Sequence, residues 1–390
     1  MLRGGIKLPF KLLGIPVTLD NSYLLILPLF AFLIGSQLPA FVNQLRLVGL
    51  DVPSASLARG ATPWVLGAIS ALGLFSSVVV HELGHALVAR LYGVRTNEIR
   101  LWFLGGVAQF QEMPTRRGAE ALVALAGPVT SGLLAVALWL ALPLASASAG
   151  ATVVVAYLAI TNIGLALFNL LPALPLDGGR VLRSLLAIFL PYLRATTIAV
   201  ALSSGIAIVG GIYGVLSGQL FLVIMAFFVY NAGRAEAQAA YLKDALEGVR
   251  ARDLMTPDPV TVDPGMPLSQ FARLGEFRRH VGYPVVDPDG KLLGFARLGA
   301  GLTFEGAQQH DDTAPAREAS TVLDILQPAE TVPPWETAME TIRRLSEGEL
   351  GRIMVTDEGG RLLGIISKTD VVRLLSAQAA QKEPLGGWSR

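Results

Sequence analysis

The sequence predicts an α-helical polytopic membrane domain followed by a soluble α/β domain. Three observations predict it. Hydrophobic residues make up 52% of the 390 residues and charged residues only 16%, against about 25% charged in ordinary soluble domains. The apolar residues gather in long runs within 1–232, whereas 233–390 hold most of the acidic residues. The second half also repeats itself at an interval of about 70 residues, the signature of stacked supersecondary units. Formal net charge is +1, so no electrostatic footprint for nucleic acid exists. There are no cysteines, which excludes disulfides, thiolate catalysis and Cys-ligated metal.

A bilayer-crossing helix needs about 20 mostly apolar residues. Candidate spans, about six, run over 21–38, 64–92, 119–145, 151–171, 196–216 and 219–232. The last is short and is expected to continue into a polar helix past Asn231, ending near Arg250. The first lacks a small-residue cleavage site and is expected to be retained. Arg3, Lys7 and Lys11 precede span one, Arg95, Arg100, Arg116 and Arg117 follow span two, and Arg180, Arg183 and Arg194 follow span four. By the positive-inside rule these segments are cytoplasmic. Six spans then place the N-terminus and the C-terminal domain of a multi-pass cell-membrane protein on that same side. The expected boundaries are 1–232 for the membrane domain, 233–250 for a helical linker, and 251–310 and 320–380 for the two repeats.

Span two contains His81-Glu82-Leu83-Gly84-His85. Residues i and i+4 share a helix face, so two imidazoles can hold one metal ion while Glu82 reaches a metal-bound water. The chemistry implied is metal-assisted hydrolysis, with zinc acidifying its water and Glu82 taking the proton. The alternative is a pair of buried histidines satisfied by hydrogen bonds. Three ionisable groups in five residues of a span cost about 2.5–3.5 kcal/mol each on the mildest scale, which a divalent cation would offset. The pair lies roughly 10–16 Å above the cytoplasmic end of the span, so a polar cavity must open to that depth.

A catalytic zinc takes three protein ligands and leaves one position open. His280 and His310 fall in the soluble half, where they read as surface or loop residues, so the third ligand is expected to be a carboxylate from another span. Asp177 is the standout, within Asn169-Leu-Leu-Pro172-Ala-Leu-Pro175-Leu-Asp177-Gly178-Gly179-Arg180. The prolines break span four and the glycines permit close backbone approach. Irregular backbone at this depth is tolerated where it lines a protein interior or a wet cavity. One zinc with Asp177 and Glu82 ionised is formally neutral. The alternative is a cytoplasmic turn with Asp177 exposed.

HELGH in one span paired with NLLPALPLDGGR in a later one resembles the site-2 protease family of intramembrane zinc metalloproteases. The resemblance covers about residues 9–232 and rests on two motifs in the right order. It implies one Zn²⁺ per chain held by His81, His85 and Asp177, Glu82 as catalytic base, and Asn169 positioning substrate or stabilising the oxyanion. It implies, as substrate, a single-span membrane-anchored regulator cut within or near its transmembrane helix, in contact with membrane lipid. Leu104-Gly105-Gly106-Val107 resembles the family's membrane-associated β-hairpin, in which Gly105 and Gly106 would help present an edge strand to an unwound substrate; a plain cytoplasmic hairpin is the alternative. Ala126-Gly127-Pro128 also matches. Ser131 stands where the family often has Asn, and Leu19-Asp20-Asn21-Ser22 where many members have a His.

In the second half, Arg252-Asp253-Leu254-Met255 aligns with Leu323-Asp324-Ile325-Leu326, and Val285-Val286-Asp287-Pro-Asp-Gly-Lys-Leu-Leu-Gly294 with Met354-Val355-Thr356-Asp357-Glu-Gly-Gly-Arg-Leu-Leu-Gly364. Each unit reads helix, strand, helix, strand–turn–strand, helix. This resembles a tandem pair of CBS domains. The resemblance implies an adenine nucleotide that regulates the membrane half, contacted by Ser367 and Asp370; the first repeat, with Arg297 and Ala300 at these places, lacks the carboxylate. A purely structural pair, which dimerises the chain or docks on the membrane half, is the alternative. Arg278-Arg279 and Arg343-Arg344 read as solvated helix faces. Two rival functions remain at this stage, a CBS-gated transporter and an inactive membrane scaffold. The first predicts polar residues along several spans, whereas the polar cluster here is a single site.

Overall fold

The structure, a computed structural model, describes residues 5–53, 57, 59–102, 105–110, 118–278, 282–297, 321–348 and 350–382. His280, His310, Arg279, Arg116, Arg117, Leu104 and Ala300 lie outside the described residues. The chain divides into two compact units, Met1–Ala240 and Tyr241–Arg390.

The first unit opens with an antiparallel pair, β1 (Gly5–Leu12) and β2 (Ile15–Asp20), which the reading of spans passed over. Its signal is the alternation of Ile6, Leu8, Phe10 and Leu12 with Lys7, Pro9 and Lys11, a period of two. Among the described residues, six helices are then long and apolar enough to cross a bilayer: α1 (Tyr23–Leu45), α2 (Thr62–Leu91), α3 (Ala119–Ala145), α4 (Ala149–Asn169), α6 (Tyr192–Leu216) and α7 (Leu220–Ala245). Asp20 starts α1, its carboxylate accepting from the Ser22 amide at 3.0 Å and hydroxyl at 2.8 Å. α1 is longer than the predicted 21–38, because Pro39 sits inside the helix rather than ending it. α7 joins the short last span and the polar stretch after Asn231 into one helix. Between spans four and five the chain adds a helix that the sequence did not predict, α5 (Asp177–Phe189).

After α2 the chain adds β3 (Thr96–Trp102), parallel to β2, and β4 (Gly105–Phe110), antiparallel to β3, which completes a sheet of order β1-β2-β3-β4. The sheet packs on one face of α2 through Val17 and Ile99 against Leu83, and through Leu101 against Phe75 and Val79. Small residues let the spans approach closely, as in other membrane bundles. A Cβ on Gly84 of α2 would lie 2.8 Å from the Ala126 carbonyl of α3. One turn above His81, the buried Asn162 of α4 donates its amide to Ser77 of α2 at 2.9 Å.

The second unit holds two interleaved sheets. One has the order β5-β11-β10-β9 and the other β6-β7-β8. β5 (Thr256–Pro257) comes from the first repeat but pairs with β11 (Leu362–Ser367) of the second. In return β8 (Leu326–Gln327), which opens the second repeat, pairs with β7 (Leu292–Arg297) of the first. The remaining strands are β6 (Gly282–Val286), β9 (Thr331–Val332) and β10 (Arg352–Thr356). The hairpin turns close on each other reciprocally: the Leu292 amide donates to the Gly360 carbonyl at 2.9 Å, and the Leu362 amide to the Gly290 carbonyl at 3.0 Å. Among the described residues the unit also has helices α8 (Ala251–Leu254), α9 (Leu268–Arg278), α10 (Ala338–Glu347) and α11 (Lys368–Lys382), and a short 3-10 helix at Val322–Ile325.

Candidate metal centre

Helical spacing puts His81 and His85 on one face of α2, and both are buried. Their ring nitrogens are separated by 3.1 Å. α4 stops at Asn169, and the next residues return the chain so that Asp177 opens α5. The turn is tight enough that a Cβ on Gly178 would collide with the Leu170 and Leu171 carbonyls, and one on Gly179 with the backbone of Ala173 and Leu174. These contacts are what the glycine pair is for. Asp177 is buried, with Oδ2 at 3.2 Å from His81 Nε2 and 3.3 Å from His85 Nε2. The exposed-turn alternative for Asp177 is therefore excluded.

Among the described residues, His81, His85 and Asp177 form a group of side chains whose ligand atoms all lie within 4.8 Å of one another. Three observations test whether the donors fit a metal ion. Their separations of 3.1, 3.2 and 3.3 Å match the ~3.3 Å edge of a tetrahedron with metal–ligand bonds of about 2.0–2.1 Å. His85 Nδ1 donates to the Val123 carbonyl at 2.7 Å, so neutral His85 turns a bare Nε2 lone pair toward the carboxylate and the other ring, an arrangement that calls for a shared cation. The third face is cleared by Gly127 of α3, where a Cβ would run into Nε2 of both rings. The donors fit zinc.

The partners on α3 orient the rings. Ser131, noted in the sequence only as a departure, lies with its hydroxyl 2.9 Å from His81 Nδ1. Its position one turn past the Ala-Gly-Pro motif was the available signal. Such outer contacts fix the tautomer and direction of a metal-binding ring. Pro128 lacks the N–H that would bond the Ala124 carbonyl, which loosens α3 beside Val123.

The other expected residues fall out differently. Glu82 is half-buried at the sheet side of α2. β4 is one of the two edge strands of the sheet, and a Cβ on Gly106 would lie 2.7 Å from Glu82 Cγ and 2.9 Å from Val78 Cγ1. Gly105 pairs with Trp102 at the hairpin's end. Asn169 is half-buried and donates its amide to the Leu165 carbonyl of its own helix at 2.9 Å. Ser367 and Asp370 meet, but they meet each other. Asp370 accepts from the Ser367 hydroxyl at 2.6 Å and amide at 2.9 Å, and from the Thr256 hydroxyl at 2.9 Å. Arg343 and Arg344 lie along α10, paired with Glu340. Arg183, counted above among loop charges, is instead 3% exposed.

Over 374 residues the chain is 31% identical to a zinc metalloprotease of Methanocaldococcus jannaschii, a match that spans 96% of this chain and 97% of that one. The chain belongs to peptidase family M50. The family's profile matches residues 69–148 and 143–211, and the CBS-domain profile matches 251–299 and 322–377. Rip3 of Mycobacterium tuberculosis is 33% identical over 96% of this chain and 94% of its own. A solved site-2 protease from Methanocaldococcus jannaschii matches at 30% identity and a TM-score of 0.42, covering 60% of this chain and 95% of that one. By its M50 membership and its full-length relatives this chain is a zinc metalloprotease, with membrane-capable helices enough to be multi-pass and with two CBS domains.

Proposed function

We propose that the chain hydrolyses a peptide bond within or near a transmembrane helix of a single-span, membrane-anchored regulatory protein. The observation that carries this reading is the triangle of His81, His85 and Asp177 donors inside the bundle, with the Glu82 carboxylate beside it on the same helix and an outer strand lying over its stem. His81 and His85 through Nε2, and Asp177 through Oδ2, would hold one zinc. Bound there, zinc would supply a Lewis acid and would lower the pKa of a bound water to about 7. Glu82 takes the proton from the attacking water and returns it to the leaving amine. Val123 and Ser131 keep the imidazoles turned inward. Asn169 positions substrate or the developing oxyanion at the end of α4.

The outer strand explains how a helix can be cut. A peptide bond within a helix is shielded by its own hydrogen bonds. Pairing the substrate in extended form against β4, over Gly105 and Gly106, would satisfy its backbone and bring the bond to Glu82. The test is cleavage of a reconstituted single-span substrate library by wild type and by Glu82→Gln. Cleavage by wild type alone supports the reading, and equal cleavage by both would refute it.

The membrane-embedded protease domain is assigned to 1–232, the linker to 233–250 and the repeats to 251–310 and 320–380. The N-terminus and the CBS pair lie in the cytoplasm. The pair regulates the protease by taking an adenine nucleotide at Ser367 and Asp370. A second reading, a structural pair that dimerises the chain, is favoured by the Asp370 carboxylate already accepting from Ser367 and Thr256. Calorimetry with AMP and ATP on wild type and Asp370→Ala separates them, since only the regulatory reading predicts heat that the variant loses.

A further inference from the structure

Arg183 is a cation at a place where none is needed for solubility. It sits on α5, six residues after Asp177, and is 3% exposed. Its guanidinium donates to Glu120 in the first turn of α3 through Nε and Nη2, and through Nη1 to Glu236 of α7 at 2.8 Å. It also lies 5.2 Å from the centre of the Tyr192 ring. Next to it, the Ser184 hydroxyl accepts from the Ala121 amide at 3.1 Å. That amide is one of the first N–H groups of α3, which have no partner within their own helix, and the residue before the helix supplies no side-chain cap. α5 therefore caps α3 from outside.

These contacts join the two halves of the metal centre. The first turns of α3 carry Val123, whose carbonyl fixes His85, and Ser131 follows two turns later to meet His81. α5 carries the carboxylate. The position of Asp177 relative to the two rings thus runs through Arg183–Glu120 and Ser184–Ala121. The remaining arm reaches Glu236 on α7, which continues unbroken to Ala245. There Leu242 packs against the hydrophobic core of the second unit. A buried charge cluster is a poor way to gain stability, but one guanidinium that forks onto Glu120 and reaches Glu236 with its remaining arm fixes the register of three helices as an apolar contact does not.

We propose that Arg183 is the positioning residue that registers Asp177 against the imidazole pair, and that Glu236 gives the helix leaving for the CBS unit a hold on the metal centre. This rests on the metal-site reading above. Coordination is sensitive to a few tenths of an ångström, so loosening either arm changes the ligand field before it unfolds the bundle.

The test uses the full chain in detergent, loaded with cobalt(II) in place of zinc. Wild type is expected to hold one cobalt with a visible ligand-field band. Glu236→Gln is the deciding variant, because its carboxylate is 29% exposed and its loss is tolerable. It is expected to shift that band and to release metal to a chelator about tenfold faster. Arg183→Lys, which keeps the charge but not the fork, should do the same more strongly if it folds. An unchanged band and release rate in folded Glu236→Gln, with only a lower thermal transition, would make the cluster simple glue and overturn the proposal. Wild type that binds no cobalt would overturn the metal reading, and this proposal with it.

Discussion

Replacing Gly127 by alanine should remove zinc while leaving the helix that carries it more stable. The added methyl would point between the two Nε2 atoms, 2.6 Å from that of His81 and closer to that of His85, where 3.4 Å is an ordinary contact. Relief requires α3 to retreat from α2 by more than 0.8 Å, the shortfall at His81, because the contact with His85 is tighter still. Zinc sites tolerate about 0.2 Å in their ligand distances, so no small adjustment restores the site. The retreat also draws Val123 and Ser131 away from His85 and His81, and loss of such outer contacts alone weakens metal binding roughly 10–100-fold. That is about 1.4–2.7 kcal/mol of binding free energy, before counting the methyl's competition with the ion itself. Alanine is a better helix former than glycine by about 1 kcal/mol, so the helix would not be the casualty. The assay is zinc per chain after dialysis against graded chelator, run beside thermal unfolding. Gly127→Ala that folds and holds zinc as tightly as wild type would refute the placement of α3 against the imidazoles, and with it the geometry on which the donor triangle rests.

Asp177→Ala should take zinc from one per chain to near none, measured by atomic emission; retention would send the search to another third ligand. Ser131→Ala leaves His81 without its Nδ1 partner and should weaken zinc about tenfold, whereas Ser131→Asn should not, since its amide oxygen can accept the same bond. Glu82→Gln should lower cleavage by about 10²–10⁴ with zinc content unchanged. In the CBS unit, hydrogen bonds from Arg343 and then Arg344 hold Glu340 down to about 2 from its ordinary 4.5. A lowered carboxylate stabilises above its unfolded value and loses that contribution as pH falls through the folded one. The side chains are solvent-accessible, 55% exposed for Arg343 and 29% for Glu340, so the contribution is small. Amide exchange in α10 should therefore accelerate slightly in Glu340→Gln at pH 7 and not at pH 2, and the difference should shrink in 1 M salt.

The parts legible in the sequence are those with strong local physics. Apolar runs of bilayer length located the spans, because in lipid each helix satisfies its own backbone. The His pair was legible because i and i+4 fix a face without reference to anything distant. Asp177 was legible as an acidic residue at a break in a span. That it begins a helix was not legible, since glycines at 178 and 179 argue against helix by propensity; close packing on Leu170 and Ala173 overrides it. β1 and β2 were missed because a mostly exposed strand of eight residues is a faint signal beside 20-residue apolar runs. Arg183 was misread because charge counting takes every arginine outside a span to be in a loop, and only the meeting of α3, α5 and α7 shows otherwise. For Ser367 and Asp370, residue types gave the meeting but not its geometry, which joins them to each other and to a strand 114 residues away.

The reciprocal bonds between the two hairpin turns leave neither repeat complete by itself. Each repeat leaves an amide and a carbonyl at its turn that only the other repeat's turn satisfies, and each lends a short strand to its neighbour's sheet. A solitary repeat could complete the same bonds only with a second copy of itself. Because these bonds run through backbone groups, the repeats need not match in side chains: the second has Ser367 and Asp370 where the first has Arg297 at the place of Ser367, and each still closes the other's turn and sheet.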